Sequence, residues 1–398
     1  MDTRIIYKKK DAIVSAALKD NRLTNIRITG PEGDLTPGDI YVGRIESVVP
    51  NINGAFVSIG KERNCFLKLE RALYPIASPR HADGKLHAGD ILLVQVERDE
   101  GRNKPATVVS DFSLTGIHLV LIHGKKEVRV SSKIEDGAWK AEMRPIVNGW
   151  IDGEYALMLR TNSYKAGIDV IRAEFESLSN VYQTLLTGAD TRAIGTKLFA
   201  GLPDYLCDLR DSGMDTVNRI LTEDEDVYAD VLDFAKRFRP DCVQGVELRD
   251  KKVYPLEAEF GMRAKLGDLT SRRVWLKSGA YLVFDTTEAM TVVDVNTGKA
   301  SASKACAKGF LAVNLEAAEE LAYQIRLRNL SGIIIVDFID MESEEDRREL
   351  MHELRGLLEF DPVKTRVVDM TKLNLVEITR MKKHRPLEED VKKYSVLQ

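Results

Sequence analysis

The sequence predicts an α+β protein of several domains, and two features of the chain predict this. Between residues 38 and 118, short strands of alternating polarity are separated by turn signals, as in a small antiparallel barrel. Near the carboxyl end, two apolar strands that each reach an aspartate flank a helix, as in an α/β block. The 398 residues leave room for about two to four domains.

The first 118 residues are predicted to be mainly strands. Residues 3–29 indicate a hairpin that turns at Asp20–Asn21. Within the predicted barrel, turns are expected at Pro50–Gly54 and Gly60–Asn64, and a further strand at Ile91–Arg98.

The middle of the chain changes its periodicity twice. Residues 120–175 continue with strand-like pieces, and helical stretches follow between about 169 and 236, where apolar residues recur at steps of three and four. From about residue 252 the pattern predicts strands again, in VYPLEAEF and RRVWLKSGAYLVFD.

The last block is a strand–helix–strand unit. Its strands are Met290–Asn296 and Ile333–Asp340, and their apolar runs predict a sheet that helices cover on both faces. The intervening helix is predicted to begin at Asn314 as N-cap and to end at Asn329–Gly332. A second helix is expected from Ser343, because three acids favour its first turn.

Composition narrows the classes of function. The formal net charge of −4 gives no overall attraction to nucleic acid, so a polyanion must be bound by a local patch. The four cysteines lack C-x-x-C spacing, which argues against structural zinc and a disulfide framework. No apolar stretch suits a signal peptide or a membrane span, so we expect a cytoplasmic protein without a membrane partner.

Three polar side chains at the ends of the two strands predict a metal site. Asp294 and Asn296 share one side of their strand, and Asp337 ends the neighbouring one. Ligands gather at the carboxyl ends of strands in open sheets, and two carboxylates suit Mg²⁺. The alternative is that these acids cap helices or pair with Arg and Lys. Asp340 could support the metal ligands from outside the metal's own shell, or it could begin the turn into the Ser343 helix.

Three other groups of residues could contact RNA. Phe56, Phe66 and Lys104 combine rings for stacking with charge for phosphates, although a Phe in an alternating strand is more often core. Arg160 and Thr161 follow an apolar strand and could clasp a phosphate, but such pairs are common on surfaces. The basic run Arg380–Arg385 suits either RNA contact or a solvated tail.

From about residue 4 to 386, the chain closely resembles the catalytic part of the ribonuclease E/G family of endoribonucleases. The most specific matches are TEAMTVVDVNTGKA (287–300) and NLEAAEELAYQIRLRNLSGIIIVDFIDM (314–341). Shorter matches are IYVGRI (40–45), AFVSIG (55–60), GRNKPA (101–106) and LRT (159–161).

The resemblance implies four subdomains and a short tail. An RNase H-like scaffold would combine residues 1–37 and 205–268, with an S1 (OB-type) RNA-binding barrel at 38–118 inserted in it. A sensor of 5′ monophosphates would occupy 119–204, a DNase I-like catalytic subdomain 269–386, and a carboxyl-terminal tail 387–398.

The resemblance also implies a role for each candidate residue. Asp294 and Asp337 would bind Mg²⁺, for which Mn²⁺ can substitute, and Asn296 would align them or the scissile phosphate. Arg160 and Thr161 would sense the 5′ phosphate. The residues expected to contact RNA are Phe56, Phe66, Lys104 and Lys364, the last standing where family members carry an Arg.

The expected activity is Mg²⁺-dependent endonucleolytic cleavage of single-stranded RNA, in RNA processing and decay, with preference for 5′-monophosphorylated substrates. A non-catalytic RNA-binding protein and a metal-dependent DNase or phosphodiesterase are the alternatives. The C-x-x-C motif through which many members share a zinc between protomers is missing after the basic run. No zinc site is therefore expected, and the oligomeric state is left open.

Overall fold

The computed structural model describes residues 2–31, 35–60, 64–73, 83–98, 105–189, 191–211, 219–238, 240–298 and 310–397. These residues divide into two compact units. One comprises Met1–Pro31, Asn218–Asp230 and Gln244–Gln398, and the other Glu32–Val217 and Val231–Val243.

The described strands, in chain order, are β1 (Asp2–Lys9), β2 (Ala12–Lys19), β3 (Arg22–Thr29), β4 (Ile40–Val49), β5 (Gly54–Ser58), β6 (Asn64–Lys68), β7 (Ile91–Arg98), β8 (Thr107–Val109), β9 (Ser113–Thr115), β10 (Leu119–His123), β11 (Val128–Val130), β12 (Tyr155–Leu159), β13 (Lys197–Phe199), β14 (Arg219–Thr222), β15 (Val246–Leu248), β16 (Arg273–Trp275), β17 (Tyr281–Thr286), β18 (Met290–Asn296), β19 (Gly332–Asp337), β20 (Thr365–Met370) and β21 (Leu375–Arg380).

The described α-helices are α1 (Gly137–Asn148), α2 (Ile168–Ala189), α3 (Asp204–Asp211), α4 (Glu225–Phe238), α5 (Leu256–Glu259), α6 (Met262–Thr270), α7 (Leu311–Leu327), α8 (Glu344–Glu359) and α9 (Leu387–Lys393). Short 3₁₀ turns lie at Pro50–Ile52, Leu69–Arg71, Thr161–Lys165 and Pro240–Gly245. None of these described helices is long and apolar enough to cross a membrane.

The first unit opens with a sheet of order β15-β14-β1-β2-β3. The predicted turn at Asp20–Asn21 is confirmed between β2 and β3, but residues 3–29 form three strands and not a two-stranded hairpin. The extra turn lies at Lys10, which has a positive φ of 53° and is not a common turn residue. Helix α9 packs on this sheet through Leu387 and Val391, so the segment predicted as a tail is part of the core.

The second unit contains a closed barrel. Strands β4, β5, β6, β8 and β7 pair in that order, and β7 pairs back with β4. The inward side chains are apolar and buried, including Ala55, Val57, Cys65 and Leu67. Closure leaves these five strands without an unpaired sheet edge.

A second sheet of this unit has the order β11-β12-β10-β9, with α1 and α2 packed on it. The strand-like interpretation of residues 120–175 was wrong for 137–148, which form helix α1. Its N-cap Asp136 accepts a hydrogen bond from the Trp139 amide at 3.0 Å. Pro145 inside this helix weakened the helical signal in the sequence.

The two aspartate-bearing strands lie in a six-stranded sheet of order β16-β17-β18-β19-β21-β20. Strands β18 and β19 pair in parallel and the other neighbours are antiparallel. Helices α7 and α8 bury one face in a large apolar core. The predicted cover on both faces was wrong. Burial alternates along β18, with Val293 and Val295 buried and Val292 and Asp294 exposed.

Local signals placed some helix ends correctly. Helix α8 has the predicted N-cap, since the Ser343 hydroxyl accepts a hydrogen bond from the Asp346 amide at 3.2 Å. Asn314 is not the N-cap of α7, which begins at Leu311. VYPLEAEF was wrongly predicted as a strand, because Leu256–Glu259 is a short helix.

Candidate active site

The sheet register brings the two predicted metal ligands together. Asp294 and Asp337 are directly paired across the parallel strands β18 and β19. Both side chains are exposed on the open face of the sheet, which is the face opposite helices α7 and α8. Neighbouring strands lie about 4.8 Å apart, so two such carboxylates can reach one cation. This placement follows from the strand pairing alone.

Asn296 fixes one of these carboxylates. Its Nδ2 donates a 2.7 Å hydrogen bond to Oδ2 of Asp294. Both side chains lie on the open face because they are two residues apart on one strand. The hydrogen bond orients the Asp294 carboxylate and leaves Oδ1 to meet a ligand.

The electrostatic environment of Asp337 is unfavourable to its negative charge. Desolvation by the surrounding protein raises the pKa of this carboxyl, and the charges of Asp294 and Asp340 raise it further. Among the residues that the structure describes, no Lys or Arg forms an ion pair with Asp294 or Asp337. Negative charge that the protein gathers but does not neutralise is what a bound cation stabilises.

The donors suit a hard divalent cation such as Mg²⁺. Within the described ranges, no group of three or more His, Cys, Asp or Glu side chains is placed to hold a metal. Mg²⁺ does not need such a cage, since it usually takes one or two carboxylates and keeps water and substrate oxygens as its other ligands. Asp294 and Asp337 supply that number.

The segment beyond Asp337 is held by a residue whose role the sequence analysis missed. Asn314 is completely buried inside α7. Its Nδ2 donates to the Ile339 carbonyl at 2.8 Å, and its Oδ1 accepts from the Ile339 amide at 3.0 Å. Asp340 follows directly and accepts a 3.2 Å hydrogen bond from Asn374. Asn314 thus anchors the chain between Asp337 and Asp340.

Two basic residues at the carboxyl end lie away from the acids. Lys364 is exposed just before β20, next to the Gly332 end of β19, whereas Asp337 ends that strand. Five residues of strand separate the two ends by about 17 Å. Arg380 is buried and pairs with Asp361 at 2.7 Å, so the first residue of the basic run is structural.

The barrel aromatics lie on its outer surface. Phe56 and Phe66 are paired across β5 and β6, with ring centroids 6.0 Å apart and planes at 67°. Both are half-buried, while Ala55 and Leu67 point inward. The interpretation that these rings are barrel core is therefore wrong. Lys104 lies outside the described residues.

The candidate phosphate sensor already holds a carboxylate. Arg160 donates from Nη1 to the Gly116 carbonyl at 2.5 Å and from Nη2 to Asp211 at 2.7 Å. Burial alone would raise the pKa of Asp211, but Arg210 and Arg160 outweigh it and hold that pKa below its usual value. The Thr161 hydroxyl is exposed and lies 3.0 Å from that of Ser131. Asp211 lies far along the chain, so no local pattern predicted this contact.

Comparison with known proteins identifies the family of this chain. The sequence model described as "Ribonuclease E/G family" matches residues 113–383. The chain is 30% identical to Ribonuclease G of Escherichia coli strain K12 over 361 residues, which cover 88% of this chain and 74% of that protein. It is 29% identical to Ribonuclease E of Synechocystis over 397 residues, which cover 98% of this chain and 58% of that protein.

The chain belongs to the ribonuclease E/G family. It is an endoribonuclease, as the resemblance in the sequence implied.

Proposed function

We propose that this enzyme is a Mg²⁺-dependent endoribonuclease that cuts single-stranded RNA in RNA processing and decay in the cytoplasm. One observation carries the proposal: Asp294 and Asp337 are paired across adjacent strands, with no described cation to neutralise them. Burial and the nearby charges of Asp294 and Asp340 raise the pKa of Asp337, and a divalent ion would offset both effects.

The residues of the site have distinct tasks in this proposal. Asp294 and Asp337 hold the ion, and Asn296 keeps the Asp294 carboxylate in the orientation that the ion requires. When bound, Mg²⁺ neutralises charge that develops on the phosphate and lowers the pKa of the attacking water. Attack of that water on phosphorus, in line with the 3′ oxygen, would break the P–O3′ bond and leave a 5′ phosphate and a 3′ hydroxyl, by analogy with the family.

The other regions would bind the substrate. We infer that the closed barrel is an S1 (OB-type) module, whose outward rings Phe56 and Phe66 stack on bases. Lys104 and Lys364 would contact phosphates. The boundaries implied by the family likeness complete this proposal, with the sensor at 119–204, the RNase H-like scaffold at 1–37 plus 205–268 and the DNase I-like part at 269–386.

Preference for a 5′ monophosphate is the finer part of the proposal. Arg160 would bind the terminal phosphate and the exposed hydroxyl of Thr161 would donate a further hydrogen bond. Because Arg160 is paired with Asp211, the phosphate would compete with that carboxylate for the guanidinium.

The test compares one oligonucleotide sequence in several forms. Single-stranded RNA with a 5′ monophosphate should be cut fastest with Mg²⁺, more slowly with a 5′ triphosphate, and not at all with EDTA. Equal rates on single-stranded DNA would point to a general phosphodiesterase. Tight, salt-sensitive RNA binding without cleavage would point to a binding protein.

A further inference from the structure

An aromatic pair lies on the six-stranded sheet that carries Asp294 and Asp337, on the same face as these acids. Trp275 of β16 is paired with Tyr281 of β17, and Tyr281 is paired with Asn296 of β18. Directly paired residues share a face, so all three side chains project from the open side. One strand spacing, about 4.8 Å, separates each from the next.

The Trp275 ring is exposed, and its plane is tilted by 57° from that of Tyr281. The indole of Trp275 is 57% exposed, and its centroid lies 4.9 Å from that of Tyr281. Val274 directly precedes Trp275 on β16 and points to the opposite face of the sheet, where it packs against the apolar core. Trp275 therefore lies outside that core. An exposed aromatic of this size beside a reactive site is a candidate stacking surface.

The backbone leaves room for the Tyr281 ring. Gly298 has a positive φ of 49°, and a Cβ there would lie 3.1 Å from Cδ1 of Tyr281 and 2.5 Å from the Gly279 carbonyl oxygen. A larger residue at position 298 would therefore strain the chain and push the ring away.

A cation completes the cluster. The Arg273 guanidinium lies 4.5 Å from the centroid of Tyr281 and 5.7 Å from that of Trp275. Arg273 is exposed, and no described carboxylate forms an ion pair with it. It also shares a cross-strand row with Asp294, through Val283. Its positive charge is thus available to a phosphate of a strand that crosses the acids.

We propose that Arg273, Trp275 and Tyr281 form a stacking platform for a base of single-stranded RNA adjacent to the scissile phosphate. This inference rests on the proposed function, since the ion held by Asp294 and Asp337 would bind the phosphate being cut. Rings that stack on bases and an Arg that meets the backbone are the groups with which proteins hold single strands.

The test measures binding apart from cleavage. In an Asp294→Asn background, RNA binding is titrated by fluorescence anisotropy for Trp275→Ala, Trp275→Phe and a matched control, Phe360→Ala. Phe360 is 80% exposed at the end of α8, in the same unit. Loss of one stacked base should weaken binding by about 5- to 150-fold for Trp275→Ala. The RNA affinity of Trp275→Phe should stay within about threefold of the parent, because an aromatic ring remains. Phe360→Ala should stay within the same limit, because Phe360 is not part of the platform.

Two further measurements make the result specific. An RNA lacking the base beside the cleavage site should bind the Trp275→Ala variant and its parent equally well. Arg273→Gln should reduce the salt dependence of log K by about one phosphate contact. If Trp275→Ala and Phe360→Ala bind intact RNA alike, the platform is refuted. A change in oligomeric state with RNA binding unaltered would also refute it, in favour of a protein interface.

The outcome also separates the two proposals. Weakened binding by Trp275→Ala together with a wild-type enzyme that needs no Mg²⁺ would support the platform and refute the metal mechanism. Normal RNA binding by Trp275→Ala, together with Mg²⁺-dependent cleavage by the wild type, would refute the platform and support the metal mechanism.

Discussion

The two charged sites of this enzyme differ in how their charge is compensated. Asp294 and Asp337 repel each other on the exposed face of their sheet, and burial together with the charges of Asp294 and Asp340 raises the pKa of Asp337. Arg160, in contrast, is paired with Asp211, whose pKa is lowered by Arg210 and Arg160. In the proposed function the first site binds a cation, whereas the second already contains a side chain of the protein.

Because of this difference, a ligand should gain more free energy at the acid pair than at Arg160. A ligand of the acid pair relieves repulsion that the fold maintains, so binding is favoured as soon as the ion is present. A phosphate at Arg160 would compete with an existing ion pair, so its affinity is reduced by the interaction with Asp211 that it weakens. We therefore expect large effects at the acids and modest effects at the sensor.

Asp294→Asn should produce the largest effect. Removal of one of two carboxylates should lower cleavage by about 10³-fold or more, because several kcal/mol of charge stabilisation are lost. Cleavage of a labelled single-stranded RNA measures this, with RNA binding preserved. Asp285→Asn is the matched control, since Asp285 lies on the same sheet face but pairs with Arg272 at 2.6 Å. Its rate should stay within about twofold. Full activity of Asp294→Asn would remove the metal assignment.

Asp337→Asn should abolish cleavage and yet stabilise the metal-free protein near neutral pH. The folded state raises the pKa of Asp337, so it retains a proton that the unfolded chain has lost. The free energy of unfolding of the wild type therefore falls as pH rises through that pKa. The variant avoids this loss, and its advantage should vanish below about pH 4.

Thermal unfolding in EDTA from pH 4 to 8 measures this advantage. Added Mg²⁺ should raise the melting temperature of the wild type and leave that of Asp337→Asn unchanged. A variant that is less stable than the wild type at pH 7 without metal would contradict the assignment of repulsion.

Asp211→Asn should have a smaller effect, and in the direction of gain. Without the competing carboxylate, the preference for a 5′ monophosphate over a 5′ triphosphate should increase by up to about fivefold, the value of a partly exposed ion pair. Arg160→Ala should remove the preference. Glu176→Gln, which breaks the exposed pair with Arg172, serves as control and should leave the ratio unchanged. An unaltered ratio in Asp211→Asn would show that the two anions do not compete.

Asn314→Ala should mainly reduce stability. It leaves the amide and carbonyl of Ile339 without their partners, at about 1–3 kcal/mol for each buried group. Cleavage should fall only severalfold, because Asp337 remains in its strand. Urea unfolding and initial rates measure both, with the exposed Asn148→Ala as control. Unchanged stability would show that the Ile339 segment is held by other contacts.

The sequence predicted what depends on local pattern. Alternation and apolar runs located the strands that carry Asp294 and Asp337, and Ser343 was identified as a helix cap because capping involves neighbouring residues. The pairing of the two acids followed from the rule that parallel strands end at one edge.

Other features depend on contacts between distant segments. The apolar runs did not show that one face of the six-stranded sheet is exposed. Val292 and Ile333 are apolar, so the sequence predicted them to be buried, but both are exposed. Asn314 resembled a cap, but its partners lie 25 residues further along the chain. The Arg160–Asp211 pair spans 51 residues and left no local signal.

The central claim is that Asp294 and Asp337 hold one divalent ion. Anomalous diffraction from a crystal soaked in Mn²⁺ tests this directly. We predict a single strong peak within about 2.0–2.3 Å of an oxygen of each carboxylate, lost in Asp294→Asn. A peak elsewhere, or none in crystals whose protein cleaves RNA with Mn²⁺, would contradict it.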